Sequence, residues 1–158
     1  MQRTPVKRKK EHYVDNKQFL QALVKYRDEV EIAKIQGNPK PRVGNYIGDC
    51  FLKIATHLSY RPNFINYMYK DDMICDGVEN CIQYIDNFDP AKSKNPFAYF
   101  TQIIYYAFLR RIQKEKRQLD IKDKIIEKSG FDDIATVDES SDQSYHQIKS
   151  KIEMRMNY

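Results

Sequence analysis

Between Asn45 and Ser59 the apolar residues Tyr46, Ile47, Cys50, Phe51, Ile54, Ala55 and Leu58 recur at alternating steps of three and four. That spacing puts them along one side of an α-helix and on no single face of a strand. The stripe needs a partner to cover it, so the chain has to bring further helices to it. A looser apolar face runs from a cap at Asp15 or Asn16 to about Gly37 through Phe19, Leu20, Leu23, Val24, Val30 and Ile35. A third helix is expected over about Asn66 to Asn87, with Met73, Ile74, Val78, Cys81, Ile82, Ile85 and Phe88 on its stripe and Gly77 inside it. Gly there costs about 1 kcal/mol relative to Ala, which points to close packing or to a close-lying partner. Nowhere does the sequence alternate with period two, and the expected class is all-α.

The fourth helix starts with a favoured pair, Asn95 as cap and Pro96 as first helical residue. It runs to about Lys116, with Phe97, Phe100, Ile104, Ala107, Phe108 and Arg111 on one face and Tyr99, Ile103, Tyr106, Arg110 and Arg117 on another. The first face reads as core. The second is aromatic, then cationic. Beyond Leu119 the pattern weakens; "DIKDKIIEKSG" reads as a separate short helix stopped by Gly130, and a last amphipathic helix is expected over about Ser144 to Met156. The resulting division is a flexible basic arm (1–14), a helical bundle (15–118) and a C-terminal extension with an acidic loop and a short helix (119–158).

Charge is segregated along the chain. The net charge is +5 over 158 residues, yet 131–142, "FDDIATVDESSD", holds five acids and no base. Lys92, Lys94, Arg110, Arg111, Lys114, Lys116 and Arg117 face a single nearby acid, Glu115, which suits a polyanionic partner. No apolar run of about 18 residues exists to span a bilayer, and no apolar core follows the basic start as in a secretory signal, so an intracellular protein without membrane attachment is expected. The three cysteines Cys50, Cys75 and Cys81 read as reduced thiols, since Cys75, Cys81 and His57 lack the close pairing of a zinc site. Phosphate-binding and nucleophile-elbow motifs are missing, and the three histidines are far apart in sequence. Asp71, Asp72, Asp76 and Glu79 could hold Mg²⁺ in a nuclease, but such spacing more often makes a solvated or protein-binding face. No catalytic residue, metal or cofactor is assigned.

The pair "DDMICDGVENCIQYIDNFD" and "NPFAYFTQIIYYAFLRRIQKEKR" resembles region 2 of bacterial sigma factors, with Asp72, Ile74, Asp76, Gly77, Ile82, Asp86 and Phe88 at matching places. The stretch "DGVENCIQYIDNFDPAKSKNPFAYFTQ" is most similar to the late-transcription sigma factors of T-even-type tailed phages. The close resemblance covers about 66–118 and a looser one 14–118. It implies a compact region 2-like bundle and a non-enzymatic subunit that directs the host's RNA polymerase core to AT-rich late promoters, in the cytoplasm of an infected bacterium. The residues matching polymerase contacts, toward the clamp coiled coil, are Asp72, Cys75, Asp76, Val78 and Ile82, with Glu79 beside them. Toward promoter DNA the expected set is Lys94, Phe97, Tyr99, Phe100, Ile103, Tyr106, Arg110, Arg111, Lys114 and Arg117, in which rings stack on unpaired bases and cations neutralise phosphates.

A phage co-activator or a sliding clamp is a further candidate partner, although the ending "KIEMRMNY" is basic where the family's clamp-binding tail is acidic. Two other departures stand out. Ile103 and Ile104 occupy the places of the Trp pair of primary sigma factors, and no helix-turn-helix follows. The alternative reading is a helical module that binds polymerase or RNA without selecting promoters.

Overall fold

A computed structural model describes residues 12–129. Among them the regular elements are all helical: α1 (Asn16–Ile35), α2 (Asn45–Ser59), α3 (Lys70–Gln83), a 3₁₀ turn (Ile85–Asn87) and α4 (Pro96–Lys128). The all-α expectation is met. Most of the expected basic arm, the acidic loop and the final amphipathic helix lie outside the described residues. The chain divides into two compact units between Ile112 and Gln113, ahead of the boundary expected after Gln118.

Local chemistry sets the helix ends of the first unit. The Asp15 carboxylate accepts the Lys17 and Gln18 amides at 2.9 and 3.3 Å, a cap worth about 1 kcal/mol. α1 stops where Gly37 takes φ 71°. The Asn38 amide then donates to Ala33 O at 2.8 Å and Gly37 N–H to Lys34 O at 3.3 Å, the paired bonds of a Schellman motif. At α4, the Asn95 side chain accepts the Ala98 amide at 3.1 Å. Asn16 of α1 reaches across to accept the Phe97 amide at 3.1 Å and to donate to Asn95 Oδ1 at 3.1 Å. The starts of α1 and α4 are therefore stitched together by side chains.

The core of this unit is aromatic. Phe19 of α1, Phe51 of α2 and Phe100 of α4 are fully buried and meet at centroid distances of 4.7–6.0 Å. Phe88, after the 3₁₀ turn, closes on Phe100 at 5.7 Å. Phe64, from the loop after α2, packs edge-on against Phe108 at 5.2 Å. Each buried ring contributes roughly 2–3 kcal/mol of transfer free energy. The α2 stripe is realised closely: Ile47, Cys50, Phe51, Ile54, Ala55 and Leu58 are buried, and Tyr46 is exposed.

Three expectations change. α3 is shorter than the helix expected over 66–87. Phe64 anchors the preceding loop in the core, and local turns form there as the Phe64 and Ile65 amides both donate to Arg61 O. At its other end the chain tightens to a 3₁₀ turn, whose three-residue period brings Ile85 and Phe88 to the same buried side. α4, by contrast, is longer: it continues unbroken to Lys128, because no Gly or Pro interrupts 97–128 and the composition favours helix. The weakening apolar pattern marks the end of burial, and in the second unit Leu119, Ile121, Ile125 and Ile126 of this helix are exposed. Finally, residues 12–14 are packed and not part of a free arm. Val14 is buried, and Tyr13 stacks on the flat aromatic ring of His57 at 3.7 Å and 6°.

Gly77 explains itself by packing. A Cβ built on it would lie 3.0 Å from Ile104 and 3.2 Å from Phe108, both fully buried side chains of α4. Gly77→Ala gains about 1 kcal/mol of helix propensity, but overpacking against two side chains with nowhere to move costs about 1–3 kcal/mol. A net loss is expected, read as a fall in Tm by circular dichroism. A higher Tm would show that Ile104 can yield.

Candidate interaction surfaces on α3 and α4

The outer side of α3 carries most of the residues assigned to the polymerase. Asp72, Cys75, Glu79 and Ile82 are exposed and Val78 is half-buried. Ile74, Cys75, Val78, Glu79 and Ile82 line a shallow groove together with Gln83 and with Leu52 of α2. Leu52 is 49% exposed and Ile82 43%, so this groove presents apolar surface to solvent with acids beside it. Such a surface fits a partner with apolar side chains and a basic rim. The sequence pattern did not single out Leu52; its signal was an apolar residue on the otherwise polar side of α2.

Asp76 has a different place. Arg111 of α4 donates through Nε and one Nη to both Asp76 oxygens, at 2.6 and 2.7 Å. The side chains are 27% and 18% exposed. One turn further along α3, Asn80 Oδ1 accepts from Arg110 at 2.8 Å. Asp76 was expected to meet polymerase and Arg111 to meet DNA, but here they bind each other across the α3–α4 contact. Nothing in the sequence linked residues 35 apart. Bidentate geometry makes the pair stronger than an ordinary surface ion pair.

The α4 residues assigned to DNA separate by burial. Phe100 lies fully inside the aromatic core against Phe19 and Phe51, as its place on the core face of the helix implied; this corrects the DNA contact that the resemblance implied for it. Tyr99 is half-buried, packed against Phe88 at 5.2 Å, although its side of the helix was expected to face outward. Phe97 and Ile103 are half-buried and Ile104 is fully buried. Tyr106 is 51% exposed and meets Tyr105 edge-on at 5.9 Å. Lys94 and Arg110 are exposed. In the second unit Lys114 and Arg117 are exposed on the same helix. A groove beside the exposed tyrosines is lined by Phe97, Thr101, Gln102, Tyr105 and Tyr106 and by Leu58 and Arg61 from the end of α2 and the loop after it. Arg61 and Gln102 were not singled out from sequence, since a lone polar residue in a loop or on a helix carries no pattern.

Burial pushes the thiols of Cys81 and Cys50 above the ordinary range, and Cys81 sits within 3.9 Å of the Phe100 carbonyl; both are core residues. Among the described residues no three His, Cys, Asp or Glu side chains gather as a metal site, and no helix is long and apolar enough to cross a membrane. No protein-family model matches the chain, and no curated protein matches it at a significant level.

The ion pair has a measurable consequence. In a double-mutant cycle of Asp76→Ala and Arg111→Ala, urea unfolding should give a coupling of about 1–2 kcal/mol. Coupling near zero would mean that the pair does not hold in solution.

Proposed function

We propose that this protein is a sigma factor of the phage late-transcription type, which binds the RNA polymerase core of an infected bacterium and directs it to AT-rich late promoters. The observation that carries the reading is the α3 groove. Cys75 and Ile82, which resemble polymerase-contacting positions of that family, are exposed, and with half-buried Val78 and the neighbouring Glu79 they line one apolar, acid-edged surface. A free-standing helical bundle gains nothing by leaving Ile82 and Leu52 in water; a docked one buries them.

On α4, exposed Tyr105 and Tyr106 beside Arg61 supply rings for unpaired bases and a cation for phosphate. Stacking at about 1–3 kcal/mol per base is of the size needed to hold an opened promoter step. The contact set is smaller than the sequence implied: Phe100 serves the core, and Asp76 and Arg111 serve each other.

Run-off transcription with purified bacterial core polymerase on AT-rich phage late promoters is the direct test, and specific transcripts should appear only with this protein present. Ile82→Arg puts a charge into the apolar groove at an exposed position, so it should abolish co-purification with core polymerase while leaving Tm within about 2 °C of wild type. Retained co-purification would rule the groove out. Tyr105→Ala with Tyr106→Ala should leave polymerase binding intact but lower permanganate reactivity of promoter thymines at least several-fold. Unchanged reactivity would remove the stacking role.

A further inference from the structure

Between α2 and α3 the chain makes a series of turns that hold apolar side chains out in water. The segment is anchored. Phe64 is buried, edge-on to Phe108 at 5.2 Å and to Tyr105 at 5.6 Å. The Phe64 and Ile65 amides donate to Arg61 O at 2.9 and 3.0 Å. Half-buried Tyr67 and Tyr69 meet at 5.2 Å and pack against the core. On this frame Met68 is 90% exposed and Ile65 47%. Apolar side chains displayed by an anchored turn mark a place where something covers them. Position and charge decide what that is. Phe64 touches Tyr105, and Arg61, whose carbonyl holds the Ile65 amide, lines the same groove as Tyr105 and Tyr106, so the turn adjoins the exposed tyrosine pair. The stretch "YRPNFINYMYK" (60–70) carries Arg61 and Lys70 and no acid; the acids begin at Asp71, on α3. Lys70 Nζ lies 4.2 Å above the Tyr60 ring. Apolar side chains with cations beside them complement bases flanked by phosphates, whereas the acid-edged groove of α3 complements a basic protein.

We propose that Ile65 and Met68 form an apolar wedge that enters a base step of the promoter and unstacks it, with Arg61 and Lys70 on the flanking phosphates. The inference rests on the sigma-factor reading above and assigns the opening of DNA to an element outside α4. That element is needed because Ile103 and Ile104, at the places of the Trp pair, are half-buried and fully buried, and Ile104 packs against Gly77. Neither is placed to enter a duplex. Ile and Met are among the side chains that proteins insert between base steps, and the unbranched, polarisable chain of Met adapts to the space it finds there. Anchoring is what makes a wedge effective. Phe64, Tyr67 and Tyr69 fix the turn on the bundle, so little side-chain and backbone freedom is lost when its tip enters the stack. Tyr105 and Tyr106, next to the turn, are then in place to stack on the freed bases.

The experiment compares a duplex promoter with the same promoter carrying an unpaired bubble, using the full-length protein reconstituted with bacterial core polymerase. Ile65→Asn with Met68→Gln changes two exposed side chains that do not belong to the core cluster, so Tm should match the wild type. On the duplex, permanganate reactivity of promoter thymines and run-off transcription should fall at least several-fold. Co-purification with core polymerase and run-off from the bubble promoter should stay at wild-type level, because a template that is already open needs no wedge. Ile65→Leu with Met68→Leu, which keeps the tip apolar, should open the duplex as the wild type does. Undiminished reactivity in the polar variant, or an equal loss on duplex and bubble, overturns the wedge. Loss of polymerase co-purification overturns it too, since the turn would then be docking on protein. Each of these leaves the sigma-factor reading standing as long as the wild type gives promoter-specific transcripts; their absence overturns that reading and the wedge together.

Discussion

The contact between α3 and α4 is the constraint on which the rest of the first unit depends. Gly77 removes a side chain where Ile104 and Phe108 press in, and Asp76 and Asn80, on either side of it, engage Arg111 and Arg110. Close packing and polar pairing reinforce one another there. The glycine lets the helices come near enough for a bidentate bond, and the bond fixes their relative rotation, which an apolar contact alone leaves soft. With that rotation set, the other side of α3 presents Cys75, Glu79 and Ile82 to solvent, with Val78 half-buried beside them.

In the proposed reading, two partners make opposite demands on a chain this small. A surface that docks on protein wants exposed apolar side chains, while one that holds DNA wants exposed rings and cations. In the proposed reading the bundle assigns the first to α3 with Leu52 of α2, and the second to α4 with Arg61. Between them lies a core dominated by phenylalanine, which fills volume with few rotatable bonds and so limits the side-chain entropy lost on folding. Phe19, Phe51, Phe88 and Phe100 join four separate parts of the chain in one cluster.

How much of this could be read in advance varies from element to element. The limits of α2 and the start of α4 were legible because their signals are local: a stripe at three- and four-residue spacing, and an Asn-Pro pair. The length of α4 was not, since a helix can outlast the burial of its apolar face when its residues favour helix on their own. The short span of α3 depended on Phe64 being claimed by the core, which only its contact with Phe108 reveals. Among candidate site residues, Tyr106 and Glu79 are on the surface as expected, and Ile82, which its place on the apolar stripe of α3 also suited to the core, is exposed as well. Phe100 is in the core, where its helical face put it and the resemblance did not, and Tyr99 is half-buried because Phe88 from the loop before α4 packs against it.

The sequence by itself determined the all-helical class, the α2 stripe, the capped start of α4, and the two chemistries of acid-flanked apolar residues and aromatic-cationic residues that the proposed function uses. Only the tertiary structure decided which of those residues are free to act. It withdrew Phe100 into the core, joined Asp76 to Arg111 across 35 positions, brought Leu52 and Arg61 to the two surfaces, and clasped Tyr13 onto His57. The physical reason is one of range. Caps and periodicity act within a turn or two of helix, whereas burial and ion pairing depend on which distant side chain fills the space opposite.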